Sequence, residues 1–166
     1  MSTPPTISQG STGTTVSWAQ YLLVRRTLSY QDIDGVFGPK TKLAVEEFQS
    51  YSGLAVDGIV GPHTWSTLGG DGVEPPSLHD GSQGVVVERL QVSQNEGRGE
   101  FAPTTNPLLA TDGLYGPKTA AAVRGTQQAA GITPDGVVDL RTWAVPVHAA
   151  GQVLADICGV PGPGEG

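Results

Sequence analysis

Two copies of one turn phrase, DGVFGPKT at 34–41 and DGIVGPHT at 57–64, flank the run LAVEEFQSYSG at 43–53. Both phrases occur again further along the chain. DGLYGPKT at 112–119 reproduces the first almost residue for residue, and DGVV at 135–138 followed by TW at 142–143 reproduces most of the second. The pattern predicts a tandem duplication, so function has to be inferred from the repeated unit.

The length and composition fit two small domains. Two units of about 65 residues each lie near the lower limit for a self-supporting hydrophobic core. Of the 166 residues, 37% are apolar and 15% charged, and 24 are Gly and 13 are Pro. This composition predicts short elements joined by many turns.

The charge balance excludes two classes of partner. A net charge of −7, from 9 basic and 16 acidic residues, provides no basic face for nucleic acid or for an anionic membrane. No stretch is long and apolar enough to span a bilayer. The N-terminal MSTPPTISQGSTG has neither a basic segment nor an apolar core, so no signal peptide is visible and the export route stays open.

Each unit is predicted to contain three helices. In unit 1 the spacing of Val16, Ala19 and Leu23 predicts a first helix over about 14–27. Pro39 and Pro62 sit at the first position of a second and a third helix, where a missing amide hydrogen costs nothing. Extended pairing is expected only over two or three residues around Val36 and Ile59.

The predicted fold class is all-α, with two tandem three-helix units and an extra C-terminal helix. The predicted segments are a disordered N-terminus 1–6, unit 1 at 7–69, a linker 70–77, unit 2 at 78–158 and a disordered tail 159–166. Unit 2 contains an inserted loop at 95–111 and the C-terminal helix at 147–157. The loop is either a variable surface loop or a specificity element.

The pattern G-S-x-G-x-x-V-x-x-A/L-Q, D-G-x-F/Y-G-P-K-T-x-x-A-V-x-x-F-Q, G-L-x-x-D-G-I-V-G-P-x-T-W-x-x-L resembles the peptidoglycan-binding domain family, three-helix modules found beside bacterial cell-wall hydrolases and zinc peptidases. The matches extend over about 7–145. Unit 2 departs from the pattern at the loop and at three further places: Thr126 stands where unit 1 has Phe48, 139–140 replace Gly-Pro, and Pro146 replaces Leu68. The resemblance implies that both units keep the fold, and the departures put ligand binding by unit 2 in question.

The resemblance implies a shallow groove on each unit that binds a peptidoglycan glycan strand or stem peptide. Recognition of such a ligand requires aromatic surface with amide and hydroxyl groups around it. The candidates are Tyr30, Gln31, Phe37, Lys40, Gln49 and Tyr51 in unit 1, and Tyr115, Lys118 and Gln127 in unit 2. For Phe37 and Tyr115 burial in the core is an equal alternative.

Catalysis is not expected from this chain. The four Asp-Gly pairs lie in turns that precede helices, which predicts structural roles for their carboxylates. The three histidines are scattered, and no nucleophile stands in a recognisable context, so we expect no catalytic residue, metal site or cofactor. Cys158 is interpreted as a small packing residue, Trp65 and Trp143 as core residues, and Trp18 as partly exposed.

Three hypotheses for function follow. The first is non-catalytic binding to bacterial peptidoglycan, with two weak sites gaining avidity on a polymeric wall. The second is an adaptor in a phage particle or contractile injection-type assembly, with a protein partner bound through loop 95–111 or the C-terminal helix. The third is the wall-targeting part of a hydrolase encoded elsewhere. The expected location is the extracellular cell wall or a virion.

Overall fold

The computed structural model describes residues 3–24, 26–147 and 152–163. The chain divides into two compact units between Glu74 and Pro75, within the predicted linker. All regular elements in the described ranges are helices, and extended pairing is limited to isolated bridges. This confirms the predicted all-α class. Among the described helices none has the length and apolar character needed to cross a membrane.

Unit 1 contains α1 (Thr14–Leu22), a short 3-10 helix (Tyr30–Asp32), α2 (Pro39–Tyr51) and α3 (Pro62–Leu68). The prolines begin α2 and α3, as predicted. The first helix is shorter than the predicted 14–27. The amide groups of residues 26, 27 and 28 all bond to the carbonyl of Leu23, which folds the chain back and ends the helix while Leu23 stays buried.

Two antiparallel bridges tie the turn phrases of unit 1 to its N-terminal segment. Ile7 pairs with Val60 and Thr12 with Val36, so pairing is as restricted as the sequence indicates. The indole of Trp65 donates a hydrogen bond to the carbonyl of Pro5 at 2.9 Å. A buried indole N–H needs an acceptor, and the carbonyl of Pro5 provides it. Pro5 is therefore held in place, and the prediction of a disordered N-terminus is wrong at this residue. Residues 1–2 lie outside the described ranges.

Unit 2 contains α4 (Val85–Glu96), α5 (Pro117–Ala129), α6 (Leu140–Trp143) and α7 (Leu154–Ile157). Its bridges, Leu78 with Val138 and Gln83 with Leu114, repeat those of unit 1. Where the Gly-Pro pair is lost, Asp139 caps α6 by accepting a hydrogen bond from the amide of Thr142 at 3.2 Å. An aspartate N-cap thus replaces the proline start.

The predicted C-terminal helix 147–157 is too long. Of the described residues in this segment, Leu154–Ile157 are helical, while Val153 pairs with Pro146 in an antiparallel bridge. The amide of Leu154 bonds to the carbonyl of Val145 at 2.9 Å. The apolar residues with helix-like spacing therefore belong partly to an antiparallel pairing that brings the chain back to Val145. Residues 148–151 lie outside the described ranges.

The start of the predicted disordered tail is also packed. The amide of Val160 bonds to the carbonyl of Ala155 at 3.1 Å, and Val160 is buried. Residues 164–166 are not among those described. Cys158 is fully buried with its Sγ 3.6 Å from the Ser93 hydroxyl, and burial raises the pKa of the thiol to about 11. The structure thus confirms Cys158 as a packing residue.

The tryptophans account for much of the buried aromatic surface. Trp65 and Trp143 are fully buried, as predicted. Trp18 is not partly exposed, as the sequence suggested: it stacks on Tyr21 with ring centroids 5.9 Å apart, and its indole N–H donates to the carbonyl of Gly70 at 3.0 Å. The linker 70–77 therefore begins in contact with unit 1.

A buried glutamine holds every turn phrase, in an arrangement we call the glutamine clamp. In the clamp of Gln49, the side-chain Oε1 accepts the amide hydrogens of Asp57 and Gly58 at 3.1 and 3.0 Å. Its Nε2 donates to the Asp57 carboxylate, the Ile59 carbonyl and the Thr64 hydroxyl at 2.9, 2.9 and 3.1 Å. One primary amide thus binds the turn and the first turn of the next helix together.

The same clamp occurs four times in the described chain. The sets are Gln20 with Asp34, Gly35, Val36 and Thr41; Gln49 with Asp57, Gly58, Ile59 and Thr64; Gln91 with Asp112, Gly113, Leu114 and Thr119; and Gln127 with Asp135, Gly136, Val137 and Thr142. The glycine of each Asp-Gly pair has positive φ, between 71° and 76°. Glycine is required there because other residues are strained in that conformation.

We predict that Gln127→Leu will destabilise unit 2 by about 2–4 kcal/mol, because the buried amide of Gly136 and carbonyl of Val137 lose their partner. Gln128→Leu, at the exposed next position on α5, should change stability by less than about 0.5 kcal/mol. Urea denaturation followed through the NMR indole signal of Trp143, the single tryptophan of unit 2, measures both. Equal stability of the two variants would contradict the structural role of the clamp.

Candidate functional site

Four of the nine predicted ligand-binding residues are buried. Phe37 and Tyr115 are 1% and 2% exposed, and the Tyr115 hydroxyl donates to the carbonyl of Gly136. Gln49 and Gln127 are each 1% exposed because they form clamps. These side chains hold the fold, and a ligand in solvent cannot reach them.

The carboxylates of the Asp-Gly pairs are engaged in the turns. The Asp57 carboxylate accepts hydrogen bonds from the amide of Ile59 at 3.0 Å and from Gln49 at 2.9 Å. These hydrogen bonds stabilise the ionised form and lower the pKa of Asp57 below its ordinary value of 3.8. The bond from the Ile59 amide has the largest effect, followed by the bond from Gln49. A carboxylate in this state is suited to hold a turn and unsuited to donate a proton at neutral pH.

Three predicted residues lie around the 3-10 helix. Tyr30 is half-buried and Gln31 is exposed, and the amide of Gln31 donates to the Ser29 hydroxyl at 3.0 Å. Lys40 at the start of α2 lies 3.0 Å from the Asp32 carboxylate, with 69% of its side chain exposed. A salt bridge this exposed contributes little to stability, so the Lys40 ammonium remains accessible.

The remaining predicted residue of unit 1, Tyr51, lines an open groove of about 720 Å³. The groove lies between the end of α2 and the turn after α1. Its residues are Arg26, Thr27, Glu47, Phe48, Ser50, Tyr51 and Ser52. Tyr51 is 96% exposed, which is unusual for a large aromatic side chain.

Arg26 and Phe48 contact each other in this groove. The Arg26 guanidinium carbon lies 4.7 Å from the centroid of the Phe48 ring, and Phe48 itself is 3% exposed. A guanidinium over an aromatic face is held by a cation–π attraction, and its planar fork suits a carboxylate. Glu47 adds an anionic group, and Ser50 and Ser52 add hydroxyls. The groove therefore combines an aromatic surface, one positive and one negative side chain, and small polar groups.

Arg26, Glu47 and Phe48 were not among the predicted site residues. Phe48 belongs to the family pattern, and Arg26 belongs to a loop about 20 residues earlier in the chain. The signals available were the basic pair at 25–26 and the two aromatic residues of FQSY at 48–51. Neither indicates by itself that the two segments meet.

Unit 2 does not repeat these side chains. Lys118 is exposed at the start of α5, but Ala129 stands where unit 1 has Tyr51. Thr126, in the place of Phe48, donates a hydrogen bond to Gln94 in the interior. Groups of three or more His, Cys, Asp or Glu able to hold a metal are absent from the described residues, and His148 falls outside them.

Comparison with known proteins identifies the repeated unit. The family model "Putative peptidoglycan binding domain" matches residues 12–68 and 101–145, more than half of the chain. The chain belongs to the peptidoglycan-binding domain family. Both matches cover the clamped turns, and the second begins within the inserted loop of unit 2.

The relatives of this chain include two proteins named as enzymes. It is 48% identical over 66 residues to an uncharacterized protein of Kitasatospora aureofaciens, covering 39% of this chain and 55% of that protein. It is 46% identical over 65 residues to the zinc D-Ala-D-Ala carboxypeptidase of Streptomyces albus G, covering 38% of this chain and 26% of that protein. It is 27% identical over 163 residues to the N-acetylmuramoyl-L-alanine amidase CwlL of Bacillus licheniformis, covering 86% of this chain and 45% of that protein.

The chain spans between about a quarter and about half of the length of these relatives. Among solved structures, a peptidoglycan-binding protein from Clostridioides difficile in complex with glutamine hydroxamate is 46% identical, with a TM-score of 0.37 and coverage of 42% of this chain and 43% of that one.

We predict that the Asp57 carboxyl titrates below pH 3.8, because its folded form accepts the Ile59 amide and Gln49 bonds. Since the folded pKa is depressed, the resulting stabilisation is complete above the unfolded pKa and is lost as the pH falls through the folded pKa. Carboxyl NMR of the intact chain measures the midpoint. A midpoint above 3.8 would contradict the turn-holding role.

Proposed function

We propose that this chain binds bacterial peptidoglycan without cleaving it, and that the groove of unit 1 is the binding site. The observation that carries the proposal is the combination of a 96% exposed Tyr51 with a guanidinium held over Phe48 in one open groove. Membership of the peptidoglycan-binding domain family supports the class of ligand.

The groove matches the chemistry of the wall polymer. Sugar rings have apolar faces that stack on an exposed aromatic ring such as Tyr51. Stem peptides carry carboxylates, which the Arg26 fork can bind with two parallel hydrogen bonds. Glu47 can pair with an amino group of the same peptide. We therefore propose that the groove holds the junction between a glycan strand and its stem peptide.

The non-catalytic part of the proposal rests on the turn carboxylates. The Asp side chains of the four Asp-Gly pairs each bond to a clamp glutamine, which assigns them to the fold. A carboxylate used in this way is not positioned to act as an acid, base or nucleophile.

Two of the three relatives described above are named as a zinc D-Ala-D-Ala carboxypeptidase and an N-acetylmuramoyl-L-alanine amidase, and the matched part is less than half of each. We propose that this chain supplies the wall-attachment function that such a module would provide beside a hydrolase. On this proposal the protein works at the cell wall, where the groove of unit 1 attaches it to the polymer.

We predict that Tyr51→Ala and Arg26→Ala will each weaken binding to purified sacculi by about tenfold, since each removes an aromatic or cation contact worth about 1–1.5 kcal/mol. Leu43→Ala, on the same helix at a 55% exposed position outside the groove, should bind as the wild type does. Co-sedimentation across a range of sacculus concentrations measures the affinities.

Thermal denaturation serves as the control, because Tyr51 and Arg26 are exposed and their removal should leave the fold intact. Wild-type affinity in both groove variants would refute the groove as the site. Failure of the wild-type chain to sediment with sacculi, together with formation of a defined oligomer, would favour the adaptor hypothesis.

A further inference from the structure

The two units can be compared position by position along their central helices. Helices α2 and α5 have 13 residues each and begin at the proline of the first turn phrase. Glu47, Phe48 and Tyr51 of the groove therefore correspond to Gly125, Thr126 and Ala129. Every one of these replacements is smaller than the residue in unit 1, so unit 2 has space on the corresponding face.

Asn106, from the inserted segment, occupies part of that space. It is 6% exposed, and its Nδ2 donates to the carbonyl of Ala122 at 2.9 Å. A Cβ built on Gly125 would lie 1.9 Å from the Asn106 Oδ1. No side chain can therefore be present at 125 while Asn106 is in place, whereas unit 1 has Glu47 at this position.

Phe101, from the same inserted segment, packs against the end of α4. Its ring lies where a side chain on Gly97 would be, with the nearest ring atom 2.2 Å from an ideal Cβ. Gly97 caps the end of α4, which runs to Glu96, whereas α1 of unit 1 ends at Leu22, before Arg26. The carbonyl of Gly97 also accepts the amide of Ala102 at 3.0 Å, which holds the Phe101 segment against the helix end.

The segment is fixed at both ends by side-chain bonds. Asn95 bonds to Leu109 through both of its amide atoms, accepting the Leu109 amide at 2.8 Å and donating to the Leu109 carbonyl at 3.0 Å. Arg98 donates to the carbonyl of Thr104 at 2.7 Å. Ala102 and Leu109 are buried at 3% and 7% exposure. A segment with these contacts is part of the packed unit.

We infer that residues 98–111 are a built-in plug, whose Asn106 occupies the position in unit 2 that Glu47 has in the groove of unit 1, and that unit 1 is therefore the wall-binding unit. This inference rests on the proposed function for the groove and refines it. The glycines at 97 and 125 accommodate Phe101 and Asn106, so the helices and the plug fit each other. The duplication then provides one binding unit and one unit in which a groove position is occupied by Asn106.

Gly125→Ala tests the plug without any ligand. Replacing glycine by alanine inside an open helix normally stabilises it. Here the new methyl group must displace Asn106, so we expect a lower Tm and amide hydrogen exchange at Ala102, Asn106 and Leu109 faster by about tenfold. Glu47→Ala, at the corresponding position of unit 1, is the matched control and should leave the Tm and exchange of its own unit unchanged. A stabilising Gly125→Ala with unaltered exchange would overturn the plug.

Titration of the full chain with muropeptides released from digested sacculi tests the division between units. Backbone amide NMR shifts are expected at 26–27 and 50–52, and none at 98–111 or 128–130. Shifts of similar size and affinity in both units would overturn the inference that unit 1 alone binds. Shifts in neither unit would instead refute the proposed function of the groove, while the exchange experiment still decides whether the plug exists.

Discussion

The glutamine clamp is the interaction on which both units depend. A turn that contains Asp-Gly leaves backbone amide and carbonyl groups pointing away from any strand partner, and these groups are costly to bury unpaired. A primary amide offers both a donor and an acceptor, so one buried glutamine satisfies both kinds of group at once. Repetition of the clamp at Gln20, Gln49, Gln91 and Gln127 allows short helices to form stable units of modest size.

The clamp also separates structural from functional residues on α2. Gln49 and Phe48 are both buried, one in the clamp and the other beneath Arg26. Tyr51 lies one half-turn further on and is almost fully exposed. The last turn of α2 therefore supports the core with one face and the groove with another, so the groove residues stand on a rigid element.

Much of the fold could be predicted from sequence, because its determinants are local. Proline at the first helical position and glycine at positive φ act within a few residues, so the starts of α2 and α3 were predicted. The C-terminal segment was misassigned because apolar spacing does not distinguish a helix from the bridge between Pro146 and Val153. The site was harder to predict. In the sequence, Gln49 and Gln127 cannot be distinguished from surface amides, because the turns that bury them are defined only in the folded unit. The contact between Arg26 and Phe48 likewise depends on tertiary packing.

Divergence between the units gives the duplication a physical explanation. Unit 2 keeps its two clamps, while the residues at its groove positions are small and Asn106 of the inserted segment lies against Gly125. Photo-crosslinking to sacculi tests this asymmetry most directly, with benzoylphenylalanine at position 51 in one full-length variant and at position 129 in another. The account predicts covalent attachment to the wall from position 51 and only background from position 129. Equal attachment from both positions, or attachment from 129 alone, would contradict it.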